Sequence, residues 1–342
     1  MKTMLAYFEA HGFPVTAEDL MKSAGLMKLL AAMLALAPCV ALAQPAWPNK
    51  PVKLISVFPP GGSVDQVARV FAAQLTTQLG QQVIVDNRGG ASGSIGTQVV
   101  ATSPPDGYTF GVVFDTHAVN PSLIPNLPFD TLKDLAPVML VGTSPMAIVA
   151  HTSQPYNDFR DVLAAAKKQP VPFGSIGTGS LGHLAMLQIG NLQHVEFTHI
   201  PYRGGGPLMT DAIGGQVPVA IGTVFLVNPH VKGGKVKALA VTSAKPSPQM
   251  PGVKTVAEQG VPGFAALAWW GVIAPANTPQ PIVKRMYEEL AKALKDPAVA
   301  QKLTEQGMDI VGGGPQELDK FLRGEIARWA LVVRDNKIKA GD

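Results

Sequence analysis

Three glycine-rich stretches hold the residues whose types and spacing could do chemistry. Gly174-Ser-Ile-Gly-Thr-Gly-Ser-Leu-Gly182 contains Gly177-x-Gly179-x-x-Gly182, the spacing of a dinucleotide-binding loop. Phe58-Pro-Pro-Gly-Gly-Ser-Val-Asp65 and Arg88-Gly-Gly-Ala-Ser-Gly-Ser94 have the same composition, and each lies between a strand-like and a helix-like run. Such a loop points backbone N–H groups out of a helix N-terminus. Its unpaired donors and dipole hold phosphate and carboxylate alike, so the anion is not fixed by the loop itself.

Catalytic readings find little support in the residues. A dinucleotide fingerprint requires an acidic residue about twenty positions on, at the end of the next strand. Here that strand ends in Tyr202-Arg203, and Glu196 lies at its beginning. A nucleophile elbow needs G-x-S-x-G, and Ser63, Ser92, Ser175 and Ser180 all lack one of the flanking glycines. The seven histidines show no metal spacing, and neither H-E-x-x-H nor C-x-x-C occurs. The expectation is a binding protein that performs no reaction and uses no cofactor and no metal.

Residues 27–43, MKLLAAMLALAPCVALA, join a basic residue, a short apolar run and the small-x-small ending Ala41-Leu42-Ala43. That is the pattern of a cleavable export signal rather than of a membrane span. Residues 1–20 fit no signal pattern, which points to Met21 or Met27 as the start. Cleavage after Ala43 would leave 342 − 43 = 299 residues and remove Cys39, the only cysteine. Disulfides, thiolate nucleophiles and cysteine metal sites are thereby excluded from the mature chain. The net charge is +4, with no run of five basic residues and few aromatics, so nucleic acid is not expected as a partner.

The elements that must position the loops follow a repeating order. Strands are predicted at 52–57, 83–85 and 108–114. The helix after the first begins at Ser63-Val64-Asp65-Gln66, a capping-box spacing, and ends at Gly80. The pattern then restarts: a crossing strand at 145–151, a helix capped by Asn157, a strand at 171–176 and a helix over 181–189. Strand 197–202, a short helix 208–213 and strands 217–224 and 236–241 come next. A strand at 265–274 returns to the first unit, and helices near 280–294, 297–306 and 315–335 finish the chain. Alternating strand, loop and helix predicts parallel sheets covered on both faces. The fold class is α/β: two units of strand, glycine loop and helix joined by crossing strands with a central ligand cleft, which the family resemblance given next implies are the two Rossmann-like lobes of a periplasmic binding protein-like fold. Lobe 1 is expected to comprise 44–146 plus 266–342, and lobe 2 to comprise 147–265. Hinge closure on a small molecule follows from that geometry.

These loops also resemble a known family. Phe58 to Asp65, Val85-Asp-Asn-Arg-Gly-Gly-Ala-Ser-Gly93, Asp106-Gly-Tyr-Thr-Phe110 and Ser175 to Ser180 with His183 are similar to motifs of the Bug family. So are Ile200-Pro-Tyr-Arg-Gly-Gly-Gly-Pro207, Gly214-Gly-Gln-Val217 and Trp270-Gly-Val-Ile-Ala-Pro275. Bug proteins are periplasmic solute receptors of tripartite tricarboxylate transporters, and the likeness runs in order through residues 47–335. It implies a monomeric, non-enzymatic receptor for an organic acid, working with membrane transporter subunits. On the first wall it implies Phe58, Pro60, Gly61 and Gly62, with Ser92 and Gly93 beside them; on the facing wall it implies Thr178, Gly179, Ser180, Tyr202 and Arg203. Thr116, His117 and Phe225 are further candidates. Asp65 is expected to bind loop backbone, His183 to brace its loop, and Trp269 and Trp270 to be core. Where family members often have a proline after Asn87-Arg88, this chain has Gly89, which predicts a looser loop. Aromatic dicarboxylates such as terephthalate, aliphatic di- and tricarboxylates and aromatic monocarboxylates remain open as ligands. So do two other readings, a sensory receptor feeding a signalling kinase and a nucleotide-dependent oxidoreductase.

Overall fold

The computed structural model describes residues 47–339, together with Tyr7, Ala10, His11, Gly12, Thr16, Glu18, Met21 and Lys22. The export signal predicted at 27–43 lies outside the described residues. The chain forms two units, Met1–Ala46 and Trp47–Asp342. In the first, Lys22 and Glu18 make an exposed ion pair at 3.2 Å.

The second unit opens with β1 (Val52–Ser56), α1 (Ser63–Leu79), β2 (Val83–Asn87), α2 (Ser94–Ala101), β3 (Thr109–Phe114) and α3 (Thr116–Leu123). The long strand β4 (Leu135–His151) leads into α4 (Phe159–Ala166), β5 (Val171–Ser175), α5 (Leu181–Gln193) and β6 (Phe197–Pro201). Then come α6 (Gly205–Ile213), β7 (Val219–Thr223), α7 (Val224–Lys232) and β8 (Val236–Val241). β9 (Leu267–Pro275) returns, followed by α8 (Gln280–Lys295), α9 (Pro297–Gln306), β10 (Asp309–Gly313) and α10 (Pro315–Asp335).

The strands form a ten-stranded sheet in the order β2-β1-β3-β9-β4-β7-β5-β6, with β8 and β10 also on β4. Pairing is parallel within β2-β1-β3 and within β7-β5-β6. The crossing strands break the expected parallel order, because β9 and β4 run antiparallel to their neighbours and to each other. β4 serves both halves of the sheet. Its residues Leu135 to Pro145 pair with β9, and Met146 to Ala150 pair with β7. Seventeen residues of strand extend about 55 Å, enough to reach across both. The predicted strand began only at Pro145. The earlier part is hidden by register shifts at Pro137/Met139 and Leu140/Gly142, which break the alternation a sequence reading relies on.

Helix starts also differ in detail. Gly62, not Ser63, is the N-cap of α1, and no side chain caps it. Asp158, not Asn157, caps α4, in a box with Asp161. Gly80 does end α1, in the left-handed conformation at φ 65°. α1 lays Val67, Phe71 and Leu75 on the sheet, all fully buried. Each such side chain contributes about 1.5–3 kcal/mol of hydrophobic stabilisation.

Two helices were not predicted. α3 and α7 follow equivalent strands, β3 and β7, and share a pattern: Val119-Asn120-Pro121 in one, Val227-Asn228-Pro229 in the other. Both asparagines are buried, and each donates from Nδ2 to a carbonyl outside its helix, Asn120 to Ser92 at 3.0 Å and Asn228 to Glu305 at 3.1 Å. The halves thus repeat a strand–helix unit with an interior proline and a buried asparagine tie.

Candidate functional site

A cavity of about 380 Å³ opens where the carboxyl ends of parallel strands from both halves face each other. β1 delivers Phe58, the loop after β2 delivers Gly90, Ala91 and Ser92, and the end of α3 delivers Leu123 and Ile124. From the other half, the loop after β5 supplies Ile176, Gly177 and Thr178, and the end of β6 supplies Pro201, Tyr202 and Arg203. This is where an open α/β sheet places its ligands, because the loops there are free of the strand ladder.

The first wall is held by Asp65. Its carboxylate accepts from the Gly61 amide at 3.0 Å, from Arg69 Nε at 3.0 Å and from Asn87 Nδ2 at 2.9 Å. Burial pushes this carboxyl up. The hydrogen bonds from Arg69, Gly61 and Asn87, with the charge of Arg69, outweigh that and hold it below the usual carboxylate range. The role expected for Asp65, binding loop backbone, is the one its contacts give it.

The next loop is strained. Gly90 to Gly93 all have positive φ, and two of the four, Ala91 at 44° and Ser92 at 52°, carry a side chain. Each non-glycine residue in that region costs about 1–2 kcal/mol, so the surroundings must hold it there. Asn120 does so by its bond to the Ser92 carbonyl, and Ser92 Oγ donates to the Thr178 carbonyl of the other half at 2.7 Å. Gly89 stands where family members often have a proline and lies against Pro59. Its Cβ would lie 2.5 Å from Pro59 Cδ, so Pro59 already fills the space a side chain would take.

Beside the cavity the halves meet backbone to backbone. A Cβ on Gly62 would lie 3.4 Å from the Gly205 amide nitrogen, and one on Gly206 would lie 2.6 Å from the Pro60 carbonyl oxygen. The first is an ordinary van der Waals contact, whereas the second leaves no room for a side chain, so the approach requires a glycine at 206.

A net of hydroxyls and imidazoles sets the loop after β5. Ser175 Oγ accepts from the Gly177 amide at 3.2 Å and pairs with His199 Nε2 at 2.8 Å. The Gly179 amide donates to His183 Nδ1 at 3.1 Å, and the two imidazoles stack with centroids 3.9 Å apart. Burial, with the neighbouring His183, pushes His199 down to about 3, so its ring is neutral. Ser175 and His199 are at nucleophile–base distance, but Ser175 is wholly buried beneath the loop and serves to brace it. Tyr202 is fixed by its hydroxyl, which donates to Asp211 Oδ2 at 2.9 Å. Burial and that bond push the phenol up to about 12. Arg203 is exposed, makes no ion pair with another described residue, and is the one charged side chain among the lining residues.

Of the residues expected at the site, Phe58, Ser92, Thr178, Tyr202 and Arg203 line the cavity. Pro60, Gly61 and Gly62 form the seam next to it. Gly93 is the N-cap of α2, against Val57 and Phe58. Gly179 packs on Leu123, and Ser180 is fully buried as the N-cap of α5, its Oγ accepting from the His183 amide. Thr116, His117 and Phe225 do not line the cavity. Thr116 and His117 are buried in the first turn of α3, a helix the sequence reading did not place, and Phe225 is buried against the Trp270 ring at 5.3 Å. Trp269 and Trp270 are core, as expected. Gly90, Ala91, Leu123, Ile124, Ile176, Gly177 and Pro201 also line the cavity and were missed; Gly90, Ala91 and Gly177 lie in the glycine loops and Ile176 and Pro201 inside the strands predicted at 171–176 and 197–202, whereas Leu123 and Ile124 depend on α3. Among the described residues no group of three or more His, Cys, Asp or Glu could hold a metal ion.

Asp115, just before α3, is buried, and neither of its oxygens closes a hydrogen bond. Burial pushes it up to about 8, opposed by the amides of Leu181 and Thr116 and reinforced by the charge of Glu325. The native state therefore keeps a proton that the unfolded chain loses near pH 4, and stability falls as pH rises towards 8. His117 runs the other way, pushed down to about 4 by burial, but its contribution is complete above about pH 6.5. Between about pH 6.5 and 8 the Asp115 effect stands clear of it. In thermal melts across that window the wild type should lose stability and Asp115→Asn should not; parallel curves would show that Asp115 is ionised in the fold.

Residues 67–338 match the model of the tripartite tricarboxylate transporter family receptor. Protein BugT of Bordetella pertussis is 37% identical over 297 residues, covering 86% of this chain and 91% of its own. An adipate-bound R. palustris structure is 34% identical with a TM-score of 0.82, covering 86% of this chain and 99% of that one. MatC from Rhodopseudomonas palustris with bound malate is 31% identical with a TM-score of 0.79, covering 84% of this chain and 100% of its own. Among the described residues no helix is long and apolar enough to cross a membrane.

Proposed function

We propose, from the premise that this chain belongs to the tripartite tricarboxylate transporter receptor family, that it is a monomeric periplasmic receptor for a small carboxylate. It is exported by the signal at 27–43, catalyses no reaction, and presents its bound acid to the membrane subunits of a transporter. The two halves of the sheet act as lobes, 44–146 with 266–342 and 147–265, that close about the crossing strands β4 and β9.

The observation that carries this reading is the cavity between the strand ends, lined by glycine-loop backbone from both halves and by Arg203, which makes no ion pair with another described residue. Backbone amides at such loops hold a carboxylate, and a guanidinium fork matches a second one. Adipate and malate in the two related structures support the same ligand class. Terephthalate and other aromatic acids fall within it.

A thermal-shift panel tests the reading. Mono-, di- and tricarboxylates, aliphatic and aromatic, are compared with NADH and amino acids. A ligand that binds only the folded state raises its melting temperature by mass action, about 2.7 kcal/mol at a hundred times Kd. A selective rise with an acid is expected. A rise with NADH alone would replace the receptor by a nucleotide-dependent enzyme.

A further inference from the structure

α3 holds the two halves together beside the cavity. Its Asn120 ties down the Ser92 carbonyl of its own half, and its Leu123 and Val119 lie against Gly179 of the other. A Cβ on Gly179 would stand 2.2 Å from Leu123 Cδ2, so the fit is close. At the head of the same helix the Asp115 carboxyl is buried and faces two helix starts: the Thr116 amide of α3 and, from the other half, the Leu181 amide of α5. Neither of its oxygens closes a hydrogen bond. α10, packed along α3, brings Glu325, a second negative charge that accepts from Trp329 Nε1 at 2.8 Å and pairs with Arg328 at 3.5 Å. The imidazoles on these elements are His117 in α3, neutral through burial, and His183 in α5, whose Nδ1 accepts from the Gly179 amide at 3.1 Å. Helix starts favour a carboxylate, but burial and Glu325 outweigh them here, and part of that burial is supplied by the opposite half.

We propose that Asp115 is a proton latch between the two halves: it holds a proton while the start of α5 covers it and gives that proton up when the halves part, so that closing on a ligand takes up a proton. This rests on the receptor reading, in which the halves close about a bound acid, and adds a pH dependence to it. When α5 withdraws, water reaches the carboxyl, and its hold on the proton returns towards that of an ordinary aspartic acid, near pH 4. The closed form, in which burial pushes the group up to about 8, then carries the extra proton between those values. Its advantage over the open form is complete below about pH 4 and is lost as pH rises through about 8.

Titration calorimetry in two buffers of different ionisation heat, phosphate and Tris, counts the protons that move on binding. The probes are adipate, malate and terephthalate. For each acid that binds, the protein should take up about one proton at about pH 7 and almost none at about pH 9, and its affinity should fall about tenfold over that range. In Asp115→Asn both effects should vanish, because the amide keeps the shape of the protonated acid and cannot ionise. Binding without proton uptake, or the same uptake in the variant, would overturn the latch and leave the receptor reading standing. The wild-type heats alone overturn it if no proton moves, whether or not the variant folds. Silence from all three acids would overturn the receptor reading and the latch with it.

Discussion

Gly206→Val should leave the protein folded and lower its affinity for carboxylates about a hundredfold, or about 2.7 kcal/mol. A Cβ at 206 would stand 2.6 Å from the Pro60 carbonyl oxygen. That oxygen belongs to backbone in a loop tied down by the Gly61 amide bond to Asp65, so it cannot swing away as a flexible side chain would. Gly206 lies in the first turn of α6 and is absent from the residues with positive φ, so a Cβ is compatible with its φ, although Pro207 after it adds a local cost for valine. The close contact with Pro60 adds a penalty on the approach of the two halves. If binding requires that approach, apparent affinity drops in proportion to the population of the closed form. Titration with the best acid measures the loss, and small-angle scattering should report a larger radius of gyration in the variant with ligand present. Gly324→Ala is the control, since that glycine has nothing within 4 Å of its Cβ position. Unchanged affinity in Gly206→Val would mean that the seam can part without cost to the site.

The parts of this molecule that could be read from sequence are those where apolar and polar positions contrast. α1 and α8 each have a buried and an exposed face, and glycines mark where strands pass into loops. Phe58, Ser92, Thr178, Tyr202 and Arg203 came from the family resemblance, and the pattern agrees with them only in placing each after a strand end. α3 and α7 gave no such contrast. Thr116 to Asn120 and Val224 to Asn228 are buried on every side, and a proline lies inside each helix, so the usual period and the usual stop signal both mislead. Reading 217–224 as one strand put Phe225 just past a strand end, and placing no helix after the strand ending at Phe114 made candidates of Thr116 and His117 and left out Leu123 and Ile124. The signal available was the repeated Val-Asn-Pro after two equivalent strands, which marks a duplicated unit. β10 is five residues ending in Gly312-Gly313 and owes its place to β4, a partner far away in sequence.

Asp65→Ala should cost about 3 kcal/mol of stability, because charge-assisted hydrogen bonds contribute about 1.5–3 kcal/mol each and several end on this carboxylate. The loss is not that of a surface ion pair. Arg69 is more than half exposed and can return to water, but the Gly61 amide is left in a part-buried site without its acceptor, and Asn87 Nδ2 keeps only its bond to the Phe58 carbonyl. The loop from Pro59 to Gly62 would then be free to move, so weaker ligand binding should accompany the lower melting temperature. The pH dependence separates this account from a packing defect. A carboxylate held below its unfolded pKa contributes its full stability above about pH 4 and loses it as pH falls through the folded value. Wild type and variant should therefore differ fully at neutral pH and converge in acid. A difference that stays constant from pH 7 to below about 3 would mean that the side chain acts by filling space and not by its charge.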